Sequence, residues 1–411
     1  MTFAHWLALG AFAVTYVGMA LGRLPGLALD RTGIALCAAI AIVAGGALAP
    51  EAVPGAIDAP TLAILFGLMI ISALFGLAGL FDWCAARIGA TAASPAALLA
   101  LTIAVSGVLS AVLANDVVVF AMTPMLCRGI LARGLDPRPF LIGLAGAANA
   151  GSAATIIGNP QNILIAEHGH LGFAGFLAVC GPPAVLAMVM VFVTVRWLFA
   201  RELSARPLPV QGELPPLDRA LLVKTTLGTL VLIILYLAGA PRALATLGVA
   251  ALLLVSRRVG TQGALARVDW SLILLFAALF VVNAAFAATG LGEGAVAWLR
   301  GAGLSPDRLA VLAPLGLLLS NTIGNVPAVV MILALWPGLD APALTALALL
   351  STLAGNLLIV GSLANIIVVQ RAAENGVVLG FRDHARAGIP MTLAGMGMAV
   401  LWLATTGTLG W

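Results

Sequence analysis

The sequence predicts an all-α polytopic membrane protein made of two inverted repeats, each with five transmembrane helices plus one re-entrant hairpin, and with broken helices meeting at a central site. Three observations carry that prediction. The 411-residue chain is 62% hydrophobic and only 9% charged, against about a quarter charged in a soluble domain. Uncharged windows of about twenty residues, enough to cross roughly 30 Å of hydrocarbon, recur along the whole chain. Polar residues are then held back for four places inside otherwise oily segments. Two are Leu113-Ala-Asn-Asp-Val117 and Ile323-Gly-Asn-Val-Pro327; the others follow in each half as Gly158-Asn-Pro-Gln-Asn162 and Gly361-Ser-Leu-Ala-Asn365. This is the pattern of a transporter that builds one site from discontinuous helices.

The first half opens with spans near 3–22, 32–49 and 61–80. Arg23 and Arg31 bracket the first turn, and Glu51, Pro54 and Asp58 occupy the second. Phe81, Trp83 and Ile88 then alternate with Asp82 and Arg87, as in a short amphipathic helix lying in the interface. Residues 96–127 would reach about 48 Å as one helix. That exceeds the bilayer without a steep tilt, so two arms meeting near Ser110 to Asp116 are expected, forming a re-entrant hairpin. Backbone at such a tip is tolerable only where protein, water or ligand satisfies it. Arg128, Arg133 and Arg138 mark one membrane surface. Residues 139–166 read as a discontinuous span, loosened at Asn149-Ala-Gly-Ser152 and again at Gly158 to Asn162. Pro160 removes an internal donor there, and Gly151 and Gly158 let the backbone open or approach a ligand. Glu167, His168 and His170 fall in the following turn as ordinary loop residues, and 171–195 form the next span.

The stretch 196–219 is polar, with Arg196, Arg201, Arg206 and Arg219 around Pro207, Pro209, Pro215 and Pro216. It divides a first repeat, 1–200, from a second, 219–411, with 201–218 as a cytoplasmic linker. The second repeat supplies spans near 220–238, 243–256 and 270–289, a hairpin at 307–336, a broken span at 341–370 and a final span at 388–408. Placing Ser110 on Ser320 also puts Asn115 on Asn325, and Gly158 to Ile163 lines up with Gly361 to Ile366. With residue 1 outside, five crossings and one hairpin bring residue 200 inside, and the second repeat runs back out. An odd number of crossings makes the repeats inverted. On this topology 16 arginines lie inside and 3 outside (Arg242, Arg300 and Arg308), as the positive-inside rule asks. The protein is expected in the cell inner (plasma) membrane, multi-pass, with both termini extracytoplasmic.

The formal charge of +4 resides in loop arginines and points to no nucleic acid partner. Cys37, Cys84, Cys127 and Cys180 have no metal-like spacing and read as small buried hydrophobes. No phosphate-binding loop of the G-x-x-x-x-G-K-[ST] type is present, so the chain does not pump with ATP alone; an accessory ATPase stays open as a partner. No nucleophile elbow or histidine cluster supports an enzyme.

Of the 16 acidic residues, Asp116 alone lies deep in an apolar segment. A carboxylate there must be hydrated, paired or protonated, which suits a proton- or sodium-coupling group, a substrate hydrogen-bonding group or a structural cap. Asn115, Asn159, Asn162, Asn325, Asn356 and Asn365 offer amide and carbonyl groups, and Ser110, Ser152, Thr155, Ser320, Thr322 and Ser362 offer hydroxyls. Such oxygens replace a hydration shell around Na⁺, and N–H groups at helix ends favour anions. No arginine or lysine accompanies them at membrane depth. That argues against a permanent clamp on a highly charged anion and leaves room for an uncharged polyhydroxyl species or a charge-compensated anion. Coupling to Na⁺ or H⁺ is expected, with no other cofactor.

At these breaks the chain, from about residue 10 to 405, resembles the ion transporter superfamily of arsenite/antimonite efflux permeases, D-type sodium/proton antiporters, citrate carriers and divalent anion/sodium symporters. Ala114-Asn115-Asp116 is similar to the Ala-Asn-Asp element of the arsenite permeases. Gly151 to Thr155 with Gly158 to Asn162 is similar to the Gly-rich stretch ending in Pro-Pro-Asn or Pro-Gln-Asn of the carboxylate and related anion permeases. Ser320-Asn321-Thr322 is similar to the tip of the sodium/dicarboxylate carriers, which implies a sodium site near Ser320, Asn321, Thr322 and Asn365. The resemblance implies a moving transport unit, holding both hairpins and both broken spans, working against a scaffold in a homodimer. The first tip departs from the dicarboxylate pattern, reading Ser110-Ala111-Val112, which counts against two symmetric sodium sites. The expected function is therefore secondary transport of a small anion or metalloid oxyanion, with arsenite-type efflux as the narrower reading. The alternatives are a sodium/proton antiporter and a sodium-coupled carboxylate or divalent anion symporter.

Overall fold

A computed structural model describes residues 2–22, 26–208, 214–257 and 259–410; Arg23 and Pro209 lie outside the described residues. Among these residues the chain is helical, with no β-sheet. The first half contributes α1 (Phe3–Leu21), α2 (Arg31–Ala44), α3 (Ala59–Leu77), α4 (Leu80–Ala90), α5 (Pro95–Val112), α6 (Asn115–Leu131), α7 (Arg138–Ser152), α8 (Pro160–His168) and α9 (Phe173–Leu198). The second half follows with α10 (Arg219–Leu237), α11 (Arg242–Leu254), α12 (Trp270–Ala287), α13 (Leu291–Gly301) and α14 (Leu309–Thr322). It ends with α15 (Asn325–Leu335), α16 (Ala341–Ala354), α17 (Leu363–Glu374) and α18 (Phe381–Thr405). Seven of these, α1, α3, α5, α9, α10, α12 and α18, are long and apolar enough to cross a bilayer. The chain is a multi-pass membrane protein.

Charge sits where helix ends want it. Asp30, Asp58, Asp218, Asp269 and Asp340 each cap a helix by accepting a hydrogen bond from a backbone N–H in its first turn. An anion there satisfies an orphan donor and complements the helix dipole. Lys224, the only lysine, does the reverse: its Nζ donates to the carbonyls of Leu253 (2.8 Å) and Val255 (2.6 Å) at the end of α11. Of the cysteines, Cys127 and Cys180 are buried, whereas Cys37 is exposed on α2.

The breaks differ in detail from the sequence reading. Asn149 to Ser152 is the last turn of α7, not a loosened stretch, and the open backbone runs from 153 to 159. Pro160 does not interrupt a helix; it begins α8, where a missing N–H has no helical partner to lose. Glu167 and His168 belong to the last turn of α8. In the second half the corresponding gap lies between α16 and α17. Each segment read as a hairpin is two helices, α5 with α6 and α14 with α15, parted at Leu113–Ala114 and at Ile323–Gly324. Gly324 has φ 96°, a conformation that only glycine takes without strain.

The halves interlock. Helix α2 packs on α1 and α12, and α11 on α3 and α10. A second group centres on α7, flanked by α5 and α9, and on α16, flanked by α14 and α18, with α6 packed on α17 and α15 on α8. Lipid supplies little hydrophobic drive between helices, so close approach of small residues and polar contacts must hold them. Tyr16 of α1 and Asn283 of α12 hydrogen-bond each other at 2.9 Å. Helix α7 is enclosed from Pro139 to Ser152, and its alanines and glycines let α5 come near. A Cβ added at Gly151 would stand 2.2 Å from the Gly107 carbonyl oxygen. Backbone cannot yield as a side chain does. Gly151→Ala should therefore destabilise the protein by about 3 kcal/mol or more, read as a loss of monodisperse protein in size-exclusion chromatography and a lower unfolding temperature.

Candidate functional site

The site grows out of the two open stretches, whose backbone groups lack helical partners. Asn162 Nδ2 donates to the carbonyls of Ser152 (3.2 Å) and Thr155 (2.9 Å). Asn365 Nδ2 donates to the carbonyls of Gly355 (2.8 Å) and Leu358 (3.1 Å). The donors are 203 positions apart, and so are both pairs of acceptors. Each asparagine thus satisfies carbonyls that an unwound helix leaves bare.

A second set of bonds crosses between the halves. Thr352, on α16, reaches the first break: its Oγ1 donates to Asn162 Oδ1 (3.2 Å) and accepts from Asn159 Nδ2 (3.3 Å) and Gln161 Nε2 (3.1 Å). Asn149, on α7, reaches the second: its Nδ2 donates to Asn365 Oδ1 (3.1 Å) and Asn356 Oδ1 (2.8 Å), and its Oδ1 accepts from Ser362 Oγ (2.9 Å). Asn149 and Thr352 are again 203 positions apart. Asn149 Oδ1 also accepts from Asn115 Nδ2 (3.3 Å), tying in the start of α6.

The two tips are bound less alike. At the first, the Asn115 N–H donates to the Gly158 carbonyl (3.2 Å), and Thr155 Oγ1 donates to that of Ala111. Ser110 Oγ and Asn115 Oδ1 are buried without a hydrogen-bond partner. At the second, Asn321 Nδ2 donates to the carbonyls of Leu317 (2.9 Å) and Ala354 (2.8 Å), and its Oδ1 accepts from the Leu358 N–H (3.2 Å). Ser320 Oγ donates to the Ser351 carbonyl at 3.4 Å. Thr322 is exposed and returns its hydroxyl to Leu318 of its own helix (3.0 Å). Asn325 Oδ1 accepts from the next residue's N–H (3.0 Å). Asn321 and Asn365 therefore meet at Leu358, while Ser320, Thr322 and Asn325 stand apart from them.

Beside the first break lies a cavity of about 480 Å³. Asp116 and Asn159 supply polarity on its wall, between apolar faces that include Leu65, Met69, Phe120 and Ile163, and its exposed rim carries Arg267 and Asp269. Asp116 makes no hydrogen bond or ion pair with a described residue. A polar solute entering here meets the Asp116 carboxylate, with Asn159 on the same wall. Among the described residues no group of three or more His, Cys, Asp and Glu side chains is placed to hold a metal ion.

Sequence reasoning passed over Asn149 as a site residue, and Thr352 and Gln161 with it. The internal alignment held the signal, since it sets Asn149 on Thr352, two polar residues inside oily helices. Buried His384 was also missed; its Nε2 lies 3.2 Å from the Asn356 carbonyl oxygen. A lone histidine near a span's start gives no such warning.

A family model described as Citrate transporter (CitMHS) matches residues 16–341. The chain belongs to this family. The family is one of transporters and not of enzymes, and the chain is accordingly a polytopic membrane transporter. Within the curated proteins it is 27% identical to an uncharacterized transporter of Mycobacterium tuberculosis (strain ATCC 25618 / H37Rv), over 97% of both chains. It is also 27% identical to the silicon efflux transporter LSI3 of Oryza sativa subsp. japonica, over 93% of this chain and 94% of that protein. The crystal structure of the YdaH transporter of Alcanivorax borkumensis superposes with a TM-score of 0.59 at 16% identity, covering 99% of this chain and 98% of that one. At that identity the likeness speaks for the fold alone.

Proposed function

We propose that this citrate transporter family member is a secondary active transporter of a small hydroxylated anion or metalloid oxyanion, working by alternating access and coupled to protons or sodium. The observation that carries the reading is the crossed pair of hydrogen-bond sets at the two breaks. Equivalent residues in each half brace their own break and reach into the other's, which supports two inverted repeats, 1–200 and 219–411, joined by a cytoplasmic linker at 201–218. The parting of α5 from α6 and of α14 from α15 supports a re-entrant hairpin in each repeat. Asp116 is the coupling residue in this reading, with Asn159 on the same cavity wall as a solute or ion ligand, and the unpartnered Ser110 Oγ and Asn115 Oδ1 of the first tip as further ligands. Ser152, Thr155, Asn162, Asn356, Ser362 and Asn365 hold the breaks open in the shape the solute meets. A sodium site near Ser320, Asn321, Thr322 and Asn365 would use Asn321 and Asn365 through Leu358, with the other two moving in.

Efflux of an arsenite-type solute remains the narrower proposal. The relative whose name records silicon efflux supports a neutral or weakly charged hydroxylated solute, since a cavity with one carboxylate and no cation at its depth disfavours a multiply charged anion. Sodium-coupled carboxylate symport is the second reading, favoured by the family's description. Sodium/proton antiport through Asp116 is the third. The proposed setting is the inner membrane, both termini extracytoplasmic, as a homodimer.

Purified protein in proteoliposomes, offered arsenite, silicic acid, phosphate and citrate with Na⁺ and pH gradients varied independently, tests this. Saturable counterflow of a hydroxylated solute under one of the two gradients is the expected result. Uptake of citrate alone would move the assignment to the carboxylate reading, and a steady electrical conductance would remove the carrier altogether.

A further inference from the structure

Two arginines begin equivalent helices and are held differently. Arg31 is the first residue of α2 and Arg242 the first of α11, 211 positions apart. Arg242 is tied to the far end of the first half's broken span. Its Nε stands 2.6 Å from a Glu167 carboxylate oxygen, and its Nη1 and Nη2 donate to the carbonyls of Leu171 (3.0 Å) and Ala166 (3.1 Å). Both side chains are largely shielded, 15% and 16% exposed. The carboxylate contact is charge on charge and is not aligned as a hydrogen bond. Arg31 makes no ion pair or hydrogen bond with a described residue. Its Nη1 lies 3.6 Å from where a Cβ on Gly324 would stand, so it rests against the second tip.

We propose that Arg242 and Arg31 are alternating latches of the transport cycle. In the state described, Arg242 holds the end of α8 against α11 and closes that side, while the cavity beside Asp116 opens at Arg267 on the other. In the exchanged state, Arg31 holds the equivalent end of α17, and Arg242 comes free to lie against the first tip at Ala114. Glu374 supplies the carboxylate for Arg31. It now pairs with Arg371 at 2.6 Å while 56% exposed, and exposed pairs of this kind exchange at little cost. A shielded pair, by contrast, is strongly unfavourable to break on one side only, which is what a latch requires. The assignment rests on the inverted-repeat topology of the proposed function.

The test uses full-length protein with Cys37, Cys84, Cys127 and Cys180 replaced by serine or alanine and a reporter, Ala121→Cys, on the cavity wall. Inside-out vesicles are labelled with a membrane-impermeant maleimide, without substrate. Arg242→Gln and Glu167→Gln should each slow labelling about tenfold, the size of a one-latch shift in a two-state equilibrium, and Arg31→Gln should leave it as fast or faster. A Glu167→Cys/Arg242→Cys disulfide should keep the reporter reactive and stop counterflow. Unchanged labelling in Arg242→Gln, or equal slowing in both arginine variants, overturns the latch. A reporter reactive only from the extracytoplasmic side overturns the topology and the latch together. Labelling needs no solute, so a failure to find a transported ion leaves the labelling result standing.

Discussion

Replacing Asp116 with asparagine is expected to bring gradient-driven uptake in proteoliposomes down to the level of empty vesicles while the protein stays folded. The two halves of that expectation have different grounds. Asp116 is the second residue of α6, on the wall of the 480 Å³ cavity, and no described residue pairs with it. A partnerless carboxylate at membrane depth is a cost to the fold, so its neutral isostere should leave the unfolding temperature unchanged or slightly raised. The same carboxylate is the one anionic group on α6 able to take up and release a cation or proton. Asparagine keeps the shape and loses the exchange. Parallel uptake and thermal unfolding measurements separate these effects, and a variant still driven by its pH or Na⁺ gradient would place the coupling group elsewhere.

Asn149→Ala should be the most damaging single change to stability among the polar residues. Four buried groups lose a partner at once: Asn356 Oδ1, Asn365 Oδ1, Ser362 Oγ and Asn115 Nδ2. Each buried polar group left unsatisfied costs about 1–3 kcal/mol, and rearrangement or entering water recovers part of it. A loss of about 4 kcal/mol is therefore expected, together with loss of transport, because the second break and the first tip are tied through this one amide. Denaturation of the detergent-solubilised variant against wild type checks the stability, and counterflow checks the function. A near-native unfolding temperature would mean that the amides repartner among themselves, and the hub assignment would fall.

Much of the class of the protein was legible residue by residue. Charge in the membrane is so unfavourable that its absence over long windows reports the bilayer directly, and the same reasoning makes each polar residue left inside a window conspicuous. That is why Asn115, Asp116, Asn159, Asn162 and Asn365 stand out in the amino-acid sequence itself. Gly158, Pro160 and Gly361 mark the breaks, although Pro160 opens a helix instead of interrupting one, a distinction of a single turn that depends on where the preceding backbone leaves the helix.

What the chain could not disclose by itself is who meets whom. Asn149 reads as part of a loosened stretch, and only the packing of α7 against the second break turns it into a hub. Arg242 counts merely as an outside charge and Glu167 as a loop residue, yet folding brings them to 2.6 Å. Arg267, in the other half of the chain from Asp116, reaches the rim of the same cavity. The sequence by itself determined the membrane-embedded helical class, the four breaks and the residues worth watching, because those follow from the cost of moving each side chain out of water. The tertiary structure alone decided the crossed hydrogen bonds, the shape of the cavity and the unequal fates of Arg31 and Arg242. Most of these depend on partners far apart in the chain, and a pairwise hydrogen bond or ion pair has no signature in either partner until the fold brings both together.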